Sequence, residues 1–143
     1  MRRERGSALI EVTWLSILLL LPLLYIVLAV FAVQRTAYGV TAAAAAAGRA
    51  FTLAPDESSA PARGRGAAML ALADHGVDIG PEHVRFVCAP DPANCLAPGS
   101  VVTVLVDAAV DLPLMPDALG RSTPSISVDA EQRIPYGTFR EDR

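Results

Sequence analysis

Residues 12–33 read VTWLSILLLLPLLYIVLAVFAV, and the fold turns on that stretch. From Val12 to Gln34 no side chain carries a charge. A helix rising about 1.5 Å per residue reaches about 33 Å over 22 residues, enough to cross a hydrocarbon core of about 30 Å. Helices buried in soluble cores seldom run so long without a charge, so a membrane-spanning helix over about 12–34 is the expected structure. Arg2, Arg3 and Arg5 precede it. They favour a cytoplasmic N-terminus and an extracytoplasmic location for everything after about residue 35. A cleavable secretory signal is the rival reading. Val30-Phe31-Ala32 resembles a small-residue cleavage site, which would release a secreted chain starting near Val33. The apolar run is longer than the usual signal core of about 7–15 residues.

Outward from that stretch, the composition agrees. The chain has 143 residues, 52% apolar and 19% charged, where soluble domains carry about 25% charge. The length suits an anchor plus one small domain and argues against a multidomain enzyme. All twelve basic residues are Arg, and from residue 36 onward eight Arg face thirteen acids. With a net charge of −3 and no basic run, a nucleic-acid partner is not expected.

Before the apolar run stands Gly6-Ser7-Ala8-Leu9-Ile10-Glu11. A carboxylate at the mouth of a membrane helix is costly unless it is paired or reaches interfacial water. Glu11 is therefore either a snorkelling interfacial residue or a functional one. In the functional case, cleavage after Gly6 gives Ser7 a free amine, which Glu11 attracts on its own or a neighbouring chain.

The basic leader, Gly6, Glu11, Pro22 within Leu20-Leu21-Pro22-Leu23-Leu24, and the continuation to Ala47-Gly48-Arg49-Ala50 resemble the class III signal of type IV pilin-like proteins. The nearest likeness is to the TadE-like minor pseudopilins of the tight-adherence (Flp) pilus, over about a third of the chain. Val12 stands where major Flp pilins usually have an aromatic, which points away from a major pilin. The resemblance implies processing at Gly6 and Ser7 by a prepilin peptidase, axial register set by Glu11, and partners among pilin-like subunits and the pilus assembly machinery.

Residues 38–51, YGVTAAAAAAGRAF, extend the helix, since alanine has the highest helix propensity. One helix over 7–53 is expected, with residues 1–6 as a basic leader and Pro22 kinking it. The small side chains of the second half suit close helix packing. That surface serves either partner helices or the chain's own domain.

Turn and cap residues fill a linker at 54–62. A small extracytoplasmic α+β domain is expected over 63–136. It begins with a helix over 63–74 whose apolar face is Met69, Leu70, Leu72 and Ala73, closed by Gly76, with His75 at the dipole's negative end. Strict alternation marks three antiparallel strands near 84–88, 100–111 and 125–134. Ile126, Val128, Ala130 and Ile134 point inward on the last of them, while Ser127, Asp129, Glu131 and Arg133 point outward. Leu112-Pro113-Leu114-Met115-Pro116 reads as a surface connection, and 137–143 as a flexible tail.

Cys88 and Cys95 are expected to form a disulfide, which an extracytoplasmic location permits, with two free thiols as the alternative. Closing an eight-residue loop stabilises by about 2.5 kcal/mol in the chain-entropy model. A C-x6-C spacing is structural rather than redox-active. His75 and His83 with two Cys match no zinc spacing. Gly64-Arg65-Gly66 lacks a dinucleotide loop's third glycine, and no nucleophile elbow is present. Neither enzyme activity nor a cofactor is expected. The expectation is a single-pass α+β minor pilin-like or pilus assembly protein of the cell membrane. The rivals are a membrane-anchored extracytoplasmic binding protein unrelated to pili and a secreted protein.

Overall fold

Alanine-rich sequence and an unbroken apolar run both favour helix, and the two join without interruption. A computed structural model describes residues 5–111 and 125–141, with side chains from residue 9. Helix α1 spans Arg5–Thr52, with Pro22 inside it. Helix α2 follows at Ala60–Asp74, then a 3-10 turn at Pro81–His83 and strands β1 (Val84–Ala89), β2 (Val101–Asp111) and β3 (Ser125–Pro135). The strands form an antiparallel sheet in the order β1-β2-β3. The α+β architecture expected from the sequence is therefore present. The connection read at residues 112–116 lies outside the described residues.

Strand alternation determines which side chains meet the helices. Val102, Val104, Val106, Ala108 and Val110 of β2 are buried. Val84 and Cys88 of β1 share that side, with Val84 opposite Val106 and Cys88 opposite Val102. In β3 the inward residues Val128, Ala130 and Ile134 are half-buried, and Ile126 at the strand's start is exposed.

The second half of α1 lies on β2 and β3, and α2 runs alongside it. Val40, Ala43, Ala44, Ala47 and Phe51 are fully buried there. One face of the alanine run, Ala43, Ala44 and Ala47, is therefore covered by the chain's own domain, while Ala42, Ala45 and Ala46 are half-buried. Small residues are needed because backbones come close. A Cβ at Gly48 would collide with the Ile134 side chain. One at Gly64 of α2 would lie 2.6 Å from Phe86 Cζ and 3.2 Å from the Ala47 carbonyl oxygen.

The contact stripe of α2 is Ala60, Gly64, Ala68 and Leu72, spaced four apart along one face. This corrects the apolar face read from the sequence: Leu70 and Ala73 are exposed and Met69 is half-buried. Size, not hydropathy, decided which side faces α1. The helix also starts three residues earlier than expected, with Pro61 in its first turn, where a missing N–H costs nothing. It ends as anticipated at Gly76, whose φ of 64° suits glycine. The N–H groups of Gly76 and Val77 donate to Ala73 O and Leu72 O, closing a Schellman cap.

The C-terminal end is tied down. Arg140, read as part of a flexible tail, donates to Thr52 O at 2.7 Å, the last carbonyl of α1, where a cation complements the helix dipole. Its guanidinium also stacks 5.0 Å above the ring of Tyr136, which is buried and donates to Glu141 O at 3.0 Å.

Gly64→Val is expected to destabilise the domain by about 1–3 kcal/mol through overpacking. Gly66→Ala, with nothing within 4 Å of the new Cβ, is expected to stabilise it by up to about 1 kcal/mol through helix propensity. Urea titration in detergent, read by hydrogen exchange at the sheet amides, measures both.

Candidate functional site

Among the described residues, none covers the stretch of α1 from Leu9 to Leu24. Every residue from Leu9 to Leu24 is exposed, and all but a few are large and apolar. The most apolar 18-residue window averages 2.8 in mean hydropathy, and none of it is buried. Water solvates such a surface poorly, so α1 is a helix long and apolar enough to cross a membrane.

Glu11 sits at the entrance to this surface. It lines a shallow groove with Trp14, Leu15 and Leu18, and no described side chain or backbone group hydrogen-bonds or ion-pairs with it. Gly6 and Ser7 lie in the first turn of α1, ahead of it on the same helix. Thr13 Oγ1 donates to Leu9 O at 2.8 Å, which satisfies its hydroxyl within the helix.

Cys88 and Cys95 form a disulfide with a Cα–Cα distance of 5.2 Å. Both residues are buried. The bridge joins the end of β1 to a loop that packs against the corner between α1 and α2. The Asp91 side chain accepts from Ala93 N at 2.9 Å, and the Ser100 hydroxyl donates to Cys95 O at 2.8 Å and also contacts Ala97 O.

The key contact of this loop was not legible in the sequence. Glu57, which read as one turn residue in the linker, accepts from Cys95 N at 3.1 Å and Leu96 N at 2.9 Å. A carboxylate held by two N–H groups makes charge-assisted bonds. The partners lie 38 and 39 residues away, and no local pattern connects them.

The outer face of the sheet carries its charges in rows set by register. Asp107 lies opposite Asp129, a like-charged pair that opposes strand pairing. His83 Nδ1 lies 2.7 Å from Asp107 Oδ2, and Arg85 Nη2 lies 3.4 Å from Oδ1. The His83 hydrogen bond, against slight burial and helped by the charges of His83 and Arg85, holds the Asp107 carboxyl below its usual 3.8. Arg133 and Glu131 pair at 2.7 Å. Among the described residues no group of three His, Cys, Asp or Glu is arranged to hold a metal ion.

The fold and these sites define a class: a small disulfide-bonded α+β domain built on one half of a helix whose other half is bare and apolar. No family model matches the chain, and neither the curated proteins nor the solved structures contain a match to it.

Because the folded state binds the Asp107 proton less readily than the unfolded chain, its contribution is complete above about pH 3.8 and is lost as pH falls through the lowered value. Asp107→Asn is expected to flatten that acid limb, by less than about 1 kcal/mol for so exposed a pair. Urea midpoints at pH 6 and at about pH 3 check the sign. Separately, Glu57→Ala is expected to cost about 2 kcal/mol by orphaning two N–H groups, with the loss read by hydrogen exchange at Leu96.

Proposed function

We propose that this chain is a single-pass envelope protein acting as a minor pilin-like subunit or assembly factor of a tight-adherence pilus. The apolar half of α1 crosses the membrane with its N-terminus in the cytoplasm. The domain of residues 36–141 then faces an oxidising compartment, and the Cys88–Cys95 disulfide supports that side, since such bridges persist outside the cytoplasm.

The observation that carries the reading is the division of α1. Sixteen consecutive exposed residues, Leu9 to Leu24, lead into a half-helix with one face packed on its own domain. In an assembly, the bare half packs against equivalent helices of related subunits. Head-to-tail contacts of that kind build open helical filaments. Glu11 has no partner among the described residues and lies where a carboxylate in lipid needs one. A free amine at Ser7, released by cleavage after Gly6, supplies that partner and sets axial register.

Beyond the membrane, the face of Ala43, Ala44 and Ala47 is taken up by the chain's own domain. Subunit contacts are assigned instead to the apolar run, whose groove at Glu11, Trp14, Leu15 and Leu18 is open.

Expression of Gly6→Ala and Glu11→Gln in the native host, with intact-mass measurement and pilus counting, tests the proposal. Gly6→Ala is expected to retain the leader mass. Glu11→Gln is expected to be processed yet to reduce pili. Unchanged mass and normal pili in both variants would end it, and would favour an anchored protein unconnected with pili.

A further inference from the structure

The covered face of α1 does not stop where the apolar run ends. Tyr25, Ala29, Ala32 and Val33 are each partly buried, on the face that continues into Thr36, Val40 and Ala43. The wholly bare part of the apolar run is therefore 12–24, about 20 Å of helix, against a hydrocarbon core of about 30 Å. Keeping the domain entirely in water would leave the span short by several residues, at a mismatch cost that grows with each ångström.

The sheet reaches the same level. Ile126, at the start of β3, is 42% exposed and closes a notch of about 220 Å³ against Ala29, Val30, Val33 and Gln34. The notch opens on the apolar surface of α1 at the last turn before Arg35. On the other side of the helix Phe31 and Tyr38 are 64% and 70% exposed, flanking Arg35, whose Nη2 lies 3.5 Å from Gly76 O. Exposed aromatic residues at this level are of the kind found at membrane–water boundaries.

We propose that the domain rests in the outer interfacial layer of the bilayer, with phospholipid acyl chains filling the notch beside Ile126. This rests on the membrane-anchor part of the function proposed above and not on its pilus part. Lipid is the occupant because the notch adjoins the apolar surface of the spanning helix and presents only apolar surface, with Gln34 its one polar lining residue. The seat fixes the height and tilt of the domain over the membrane. Covering Ile126, Val30 and Val33 with lipid also removes their apolar surface from water.

The test uses the full chain in phosphatidylcholine vesicles with bromine on the upper acyl carbons. The wild-type chain has a single Trp, Trp14, and its quenching reports the anchor. Trp14→Phe combined with Ile126→Trp reports the seat, at a position already exposed enough to accept an indole. Trp14→Phe combined with Val87→Trp, near the sheet's far end, is the control. The indole introduced at position 126 is expected to lose intensity to a degree approaching Trp14 and to resist aqueous acrylamide. The one at position 87 is expected to behave oppositely. Quenching of Trp14 without quenching at 126 overturns the seat and leaves the anchor standing. Acrylamide access at 126 then means that the domain stands in water, and shielding from both quenchers means that protein fills the notch. If Trp14 itself escapes the bromolipid, the anchor falls and the seat with it.

Discussion

Backbone proximity between α1, α2 and the sheet is the constraint on which the domain depends. Ala43, Ala44, Ala47 and Gly48 on α1 and Ala60, Gly64 and Ala68 on α2 let helices and strands come together with little side-chain volume between them. Few large residues complete the core: Phe51, Leu72, Leu96 and Tyr136, with several valines. Each such side chain contributes about 1.5–3 kcal/mol on burial. A core this small in volume gains from closing its loops covalently and by charge-assisted bonds. The disulfide, the Glu57 clamp and the Arg140 cap do so at three points around the lower ends of the helices.

Those three ties share an end of the molecule. Arg140 engages the last carbonyl of α1, Glu57 follows a few residues later, and the disulfide loop sits on Glu57's carboxylate. At the other end α2 finishes beside α1, where His75 packs on Gly39 and Arg35 Nη2 lies 3.5 Å from Gly76 O. The domain is thus clamped to its half of α1 at both ends. Helix α1 continues from its apolar half into the half that the sheet and α2 clamp.

How much of this was legible depended on the range of the physical signal. Helix α1, the alternation of β2 and the Gly76 cap rest on local periodicity or on one residue's backbone freedom, and they were readable. The face of α2 was misread because hydropathy pointed to Leu70 while the geometry required Gly64 and Ala68, whose virtue is their size. Glu57 and Arg140 could not be found at all: each acts on a carbonyl or amide far away in the chain, 38 or more residues distant. Backbone partners carry no side-chain signature.

The sequence by itself determined that a charge-free helix of membrane-crossing length precedes a small antiparallel α+β unit, because charge and period are local properties of the chain. Only the tertiary structure decided what the alanine surface touches, where the covered part of α1 begins, and what holds the disulfide loop. Those follow from distances between backbones that sequence spacing does not encode.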